Sequence, residues 1–398
     1  MKILLINHYA GRPDLGMEFR PYFLAREWAR SGHEVRILAS NYSHLRYRQP
    51  QSAQEDVDGV TYQWVPTRPY QGNGAARLWN MAQFIGGVYR RGPALAAWRP
   101  HMVIASSTYP YDIWPAARIA RKAGAVLVHE IHDLWPLTPR LLGDFSAAHP
   151  MIASMQWAEN YTCRNADRIV SILPGTKAYL QQHGMPAQHF VHIPNGIDPE
   201  APQETIKPEL REQILDFKAR YRSTCIYAGG HAVSNALDVL LEVAARPEMQ
   251  STGFILLGAG AEKSALQTRA RDMQNILFLD PVPKAEVGSA LALADMAYLG
   301  WRHSPLYDHG ISPNKLFDYM LAGLPVIHAT DTPYDLVRDA GCGLSVASND
   351  IAGISQAVQR LQETPEAERQ ALGAKGRDFV FKHHNYSVLA QRFLEIAT

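Results

Sequence analysis

The chain has 398 residues, 46% of them hydrophobic and 19% charged, with a formal net charge of +1. This is ordinary globular composition, too long for one typical core and too near neutrality for whole-chain attraction to nucleic acid. Three scattered cysteines, Cys163, Cys225 and Cys342, lack metal-ligand spacing and suit a reducing compartment better than a disulfide framework.

Met1-Lys2 leads into Ile3-Leu4-Leu5-Ile6, an apolar run too short for a signal peptide, and no later stretch offers about 18 uninterrupted apolar residues. The expectation is a cytoplasmic protein, soluble or peripheral on a membrane. Strands are predicted at Lys2–Asn7, Val35–Ala39, Met102–Ser106, Ala125–His129 and Arg168–Ile172, with helices at Glu18–Ser31 and Ile113–Ala123. Such alternation signals parallel strands with crossover helices. Ala76 to Pro100 stands apart, because Arg77, Arg90, Arg91 and Arg99 are interleaved with Leu78, Trp79, Phe84, Tyr89 and Trp98. It reads either as an interfacial membrane helix or as a domain helix with a solvated basic face.

Pro194 to Pro199, followed by Pro202 and Pro208, is the expected linker. Beyond it, strands are predicted at Thr224–Ala228, Phe254–Leu257, Ile276–Leu279, Met296–Leu299, Val326–His328 and Leu344–Val346. The expected class is α/β: two Rossmann-like domains, residues 1–195 and 196–365, facing each other across a cleft, with helices from 366 to 398 crossing back to the first. Ligands of such sheets bind at the carboxyl ends of the strands.

The run from Gly310 to Met320 carries the sharpest chemical signal. Ser312 reads as a helix N-cap and Pro313 as the first helical residue, which puts Lys315 third, where a cation opposes the helix dipole by about 0.3–1 kcal/mol. A bound anion would reverse that sign. Amides near Ser312 and Asn314 would then converge with Lys315 on a phosphate, and Asp318, one turn on, would accept bonds from sugar hydroxyls. Gly11 and Gly16 bracket a polar loop after the first strand, and Arg20 heads the next helix, where phosphate contact competes with an ion pair to Glu18 or a neighbour. His129, Glu130, His132 and Asp133 form the densest ionisable cluster, at a strand end, without zinc-ligand spacing. A structural ion pair for Glu130 and a satisfied buried ring for His129 are the plainer readings. Gly258-Ala259-Gly260 fails as a dinucleotide fingerprint because Lys263 takes the third glycine place.

Together with Gly310 to Val326, the segments Gly16 to Pro21, Gly32-His33-Glu34-Val35, His132-Asp133-Leu134-Trp135-Pro136, Ile193 to Asp198 and Tyr227-Ala228-Gly229-Gly230 resemble the family 4 glycosyltransferases. That resemblance implies a GT-B fold and a retaining hexosyl or N-acetylhexosaminyl transfer from a nucleotide diphosphate-sugar, most simply UDP-linked. No cofactor or metal is implied beyond the donor. Gly16, Gly230, Asn235, Ser312, Asn314 and Lys315 would meet the diphosphate, Asp318 the ribose, and backbone around Asp280-Pro281-Val282 the base. His132 or Asp133 would orient the sugar or acceptor. Many relatives place glutamates where Gly310 and Asp318 stand, and Arg and Lys where Gly230 and Asn235 stand, so Lys315 would be the main cation on the phosphates. These departures resemble a subgroup acting in bacterial O-antigen and capsule assembly, which implies a lipid-linked saccharide acceptor. A nucleotide-sugar epimerase and an inactive binding scaffold remain as alternatives.

Overall fold

The structure, a computed structural model, describes residues 1–72 and 74–396, so the last two positions of the predicted 366–398 segment lie outside the described residues. The chain divides into two compact units, one of Met1–Asn195 with a C-terminal piece from Tyr386, the other Gly196–Asn385. The division at 195/196 falls inside the proline-rich linker.

In the first unit eight strands form one sheet: β1 (Lys2–Ile6), β2 (Glu34–Ser40), β3 (Gln54–Val57), β4 (Val60–Val65), β5 (Met102–Ala105), β6 (Val126–Ile131), β7 (Arg168–Ser171) and β8 (Phe190–His192). Their order is β3-β4-β2-β1-β5-β6-β7-β8. Only β3 is antiparallel, folded back on β4 through Asp58 and Gly59 at φ 51° and 78°. The Asp-Gly pair supplies the left-handed turn that matches strand twist. β1 lies between β2 and β5 with Leu4 opposite Arg36 and Val103. Ile3 to Ile6 are fully buried, which explains a continuous apolar run where a half-exposed strand would alternate.

The helix Arg20–Arg30 packs Leu24, Ala25 and Trp28 inward. Its partner is the helix Tyr386–Glu395: Phe23 stacks on Tyr386 at 4.9 Å, Trp28 meets Phe393 at 5.3 Å, and the Trp28 indole donates to the Ala390 carbonyl at 3.0 Å. Of the helices expected beyond 366, only this last one belongs to the first unit. The helix Glu366–His383 stays with the second, where the Arg377 guanidinium donates to the carbonyls of Leu321 and Ala322.

The second unit holds β9 (Ser223–Ala228), β10 (Thr252–Leu257), β11 (Ile276–Leu279), β12 (Met296–Gly300), β13 (Val326–Ala329) and β14 (Gly343–Val346). All are parallel, in the order β11-β10-β9-β12-β13-β14. The order reverses between β9 and β12, as it does between β1 and β5 in the first sheet. Those reversals part the connecting loops and open ligand space at the strand ends.

Candidate active site

At the β9/β12 reversal the loop after β9 and the helix Asn314–Leu321 meet. Pro313, not Ser312, is the N-cap: its ψ of 125° is extended, and its ring offers no side-chain cap. Lys315 is therefore the second helical residue. The amides of Asn314 and Lys315 open the helix, where the intrahelical ladder provides no acceptor. No acidic residue stands in that first turn.

Lys315 reaches back over β9. Its ammonium donates to the Asn235 Oδ1 at 2.6 Å and lies 5.3 Å from the Tyr227 ring centroid and 5.5 Å from that of Trp301. Asn235 is turned toward it by donating from Nδ2 to the Gly230 carbonyl at 2.8 Å, an oxygen that also accepts from the Tyr227 hydroxyl at 2.6 Å. Burial lowers the Lys315 pKa to about 8. A Cβ on Gly229, whose φ is 155°, would sit 2.6 Å from the Lys315 Cδ and Cε, so the lysine stem uses the space a side chain would fill. Four expected residues, Gly230, Asn235, Asn314 and Lys315, are thus brought together. Tyr227 and Gly229, part of the Tyr227 to Gly230 segment, join them, as does Trp301, none of the three with a role assigned from sequence; the Gly229-Gly230 pair is the available sign, since adjacent glycines at a strand end admit close approach. Tyr319 was also missed. Its hydroxyl accepts from the Ala228 amide at 2.8 Å and donates to the Ala228 carbonyl at 3.1 Å, tying the helix to β9.

Asp318 lies one turn beyond Lys315, with both carboxylate oxygens 2.5 Å from the Lys284 ammonium. Burial raises its pKa, and Lys284 opposes that rise. Ser312 is half-buried in the approach to the helix, and Gly310 takes a φ of 96°. The Gly258-Ala259-Gly260 loop packs backbone to backbone, since a Cβ on Gly258 would fall 2.0 Å from the Gly229 oxygen and one on Gly260 2.2 Å from that of His231. Lys263 closes this loop onto the carbonyls of Gly258 and Leu279, each at 2.9 Å, and onto Asp280 at 2.7 Å. Beside it, Phe278 and Asp280 to Pro283 line an open depression of about 430 Å³.

The first unit gathers its ionisable residues at the β1/β5 reversal. His132 is held between two carboxylates, Nδ1 3.1 Å from Glu18 and Nε2 3.2 Å from Glu130, with the Ser106 hydroxyl 2.9 Å from Nε2. Desolvation pulls its pKa down, but Glu18 and Glu130 outweigh this and carry it to about 10. The ring is thus an imidazolium at neutral pH, a donor and not a general base. Glu130 is fully buried; desolvation would raise its carboxyl, yet Arg20 and His132 hold it well below the usual range.

Arg20 directs its guanidinium into the protein. Its Nε donates to Glu130 at 3.0 Å, and its remaining nitrogens donate to the carbonyls of Pro194 and Ile193 at 2.5 and 3.0 Å. The ion-pair alternative therefore describes it, with Glu130 and not Glu18 as partner. Asp133 accepts from the Leu134 amide at 2.9 Å, the Trp135 indole at 3.2 Å and the Thr138 hydroxyl at 2.6 Å, so its carboxylate shapes the turn it stands in. His129 is buried, but its Nδ1 has no hydrogen-bond partner, which corrects the expectation of a satisfied ring. Burial takes its pKa down to about 4. Gly16 has φ 116°, and a Cβ there would approach the Arg46 Cα to 2.9 Å. One on Gly11 would strike the Gly16 oxygen at 1.9 Å. Both glycines are required by the close packing of their own loop. Among the described residues no group of three His, Cys, Asp or Glu side chains is placed to hold a metal ion.

Comparison with known proteins agrees with this geometry. Residues 16–196 match the family described as Glycosyl transferase 4-like domain, and residues 222–364 match Glycosyl transferases group 1. No curated protein matches in sequence. Among solved structures, sucrose-phosphate synthase from Thermosynechococcus elongatus superposes with a TM-score of 0.76 at 16% identity, covering 100% of this chain and 98% of its own. WaaG, described as a glycosyltransferase involved in lipopolysaccharide biosynthesis, gives 0.69 at 17% identity, with 99% of each chain covered. The Anabaena protein HepE in complex with UDP and glucose gives 0.67 at 15% identity, with 98% of each covered.

Proposed function

We propose that this chain, a glycosyltransferase of the GT-B fold built from a family 4-like domain and a group 1 domain, is a retaining enzyme that moves a sugar from a UDP-sugar to a lipid-linked saccharide in bacterial cell-surface polysaccharide assembly. The observation that carries the donor side is the Lys315 ammonium, half-buried among Asn235, Tyr227 and Trp301 beside two open helix amides. A cation and free N–H groups at a sheet reversal are suited to a diphosphate whose charge grows as the glycosidic bond breaks. HepE, a structural neighbour, holds UDP. Asp318, released from Lys284 or sharing it, is the acceptor for ribose hydroxyls. In the first unit the His132 imidazolium organises Glu18 and Glu130 and fixes the loop that would orient the sugar or acceptor. With His132 already protonated between two carboxylates, the departing phosphate would take the acceptor proton, as a retaining transfer allows.

The test is product analysis with UDP-glucose, UDP-galactose and UDP-N-acetylglucosamine, with and without a bacterial glycolipid extract. Acceptor-dependent UDP release and an α-linked product are expected. A sugar isomer formed without acceptor would establish an epimerase instead, and binding without turnover a scaffold.

The lipid side of the proposal rests on the helix Ala75–Ala97. Leu78, Trp79 and Tyr89 are exposed on it, beside exposed Arg90. From Gly59 through His129 the only acid is Asp112, which is buried, against Arg68, Arg77, Arg90, Arg91, Arg99, Arg118, Arg121 and Lys122. Aromatics set among cations without acids suit the headgroup region of an anionic bilayer. No helix among the described residues is long and apolar enough to cross a membrane. The protein is expected to sediment with phosphatidylcholine vesicles containing phosphatidylglycerol and not with pure phosphatidylcholine, and Trp79→Ala with Arg90→Glu should weaken that binding about tenfold. Equal binding to both vesicles would remove the electrostatic part of the proposal.

A further inference from the structure

We propose that Trp301, backed by His328 and Asp335, is a positioning residue that holds Lys315 charged and aimed for the donor diphosphate, an inference resting on the donor reading above. A buried ammonium needs compensation, and the usual source is a carboxylate. Here a carboxylate would also compete with the phosphate the lysine is meant to receive. The structure supplies neutral partners instead: the Asn235 carbonyl at 2.6 Å and the faces of Tyr227 and Trp301. Ring faces attract a cation without cancelling its charge. The site therefore keeps a full positive charge for an incoming anion.

What fixes Tyr227 is its hydroxyl bond to the Gly230 carbonyl. Trp301 is fixed by a different chain. Its amide donates to the Ala329 carbonyl at 3.0 Å, and its indole N–H to the His328 Nε2 at 3.2 Å. An indole only donates, so the Nε2 must accept and the ring proton must be on Nδ1. That nitrogen faces the Asp335 Oδ1 at 2.8 Å, and Asp335 is anchored in turn by the Val337 amide at 3.0 Å. His328 and Asp335 are buried, whereas Trp301 is only half-buried. A buried, directed chain ending on the edge N–H of a partly open ring is more than packing requires. The other titratable groups about Lys315 are Tyr227 of β9, His231 in the loop after it, and Asp318 further along its helix with Lys284 of the helix Lys284–Leu291; of these His231 is kept neutral by burial, Lys263 and Lys315.

The experiment is calorimetric titration of the full chain with UDP between pH 6 and 9.5. Trp301→Leu is expected to bind about tenfold more weakly at pH 7. Its loss of affinity at high pH should begin lower than in the wild type, because an ammonium without the ring face gives up its proton more readily. Trp301→Phe should recover most of the affinity, and His328→Ala should shift the profile in the same direction by less. Circular dichroism melts confirm that each variant is folded. If Lys315→Ala loses UDP but Trp301→Leu keeps both wild-type affinity and profile, or its profile moves to higher pH, the positioning role is wrong while the donor reading stands. If Lys315→Ala itself binds UDP normally, it is the donor reading that fails.

Discussion

Lys315→Ala is expected to weaken UDP binding about a hundredfold, the cost of losing a charge-assisted contact in a desolvated setting. Asn235 and the two rings hold the ammonium in the free protein, so little reorganisation is needed on binding. Lys315→Arg should not rescue it. The lysine stem already fills the space over Gly229, and a planar guanidinium cannot enter a slot cut for a four-carbon chain. The sign of the pH dependence follows from a pKa near 8 in the free protein. Between about pH 7, above which the UDP terminal phosphate is fully ionised, and that value the cation is present and affinity is level; as pH rises through it, UDP must bind together with a proton and affinity falls. Calorimetry in buffers of different ionisation enthalpy should therefore show proton uptake near pH 8.5. An unchanged dissociation constant in Lys315→Ala would refute the phosphate role.

Glu130→Gln is the second large effect, and it acts on stability. Arg20 and His132 both use this carboxylate, and both are nearly sealed from solvent. Removing the shared charge leaves the buried Arg20 without its carboxylate and His132 with Glu18 alone, a change costing about 3–5 kcal/mol. For a unit of this size the melting temperature should fall by roughly 10 °C. The pH dependence separates this from simple loss of packing. Because His132 is raised from its ordinary value to about 10, its stabilisation is complete below about pH 6.5 and is lost as pH climbs through 10. The wild type should thus lose melting temperature steadily above neutrality, while Glu130→Gln, starting lower, should lose much less. Scanning calorimetry from pH 6 to 10.5 checks both. A flat wild-type profile over that span would mean that His132 is not the imidazolium its neighbours call for.

Both units were legible in their buried parallel strands, because a strand covered on both faces must be apolar throughout. Ile276–Leu279 and the helix Ile113–Ala123 lie where periodicity puts them. The strands that escaped are edge strands or neighbours of an edge. β3 reads Gln-Glu-Asp-Val, with solvent on much of its surface and no hydrophobic alternation to betray it, though Asp58-Gly59 marked the turn. The candidate site was readable at Lys315, whose charge at a helix start is anomalous by itself, whereas Asn235 entered only through the family resemblance. It was not readable where function is shared by shape: nothing in the local sequence says that Trp301 faces Lys315, or that Arg20 spans 110 residues to Glu130. The one-residue error at Pro313 has a local cause. Proline is admitted both at the first helical position and just before it, and only the backbone angle tells the two apart.

The helix Tyr386–Glu395 carries a consequence for the order of events during synthesis. Trp28 and Phe23 emerge from the ribosome early, yet the rings that cover them, Phe393 and Tyr386, are made some 360 residues later. The second unit is continuous in sequence and can close its core without any residue beyond 385. The first must wait with an apolar groove uncovered until residues 386 to 395 are available to cover it. A chain truncated before residue 386 should therefore display a protease-resistant second unit and a first unit still open to cleavage, and chaperone demand should concentrate on the part of the protein that is made first.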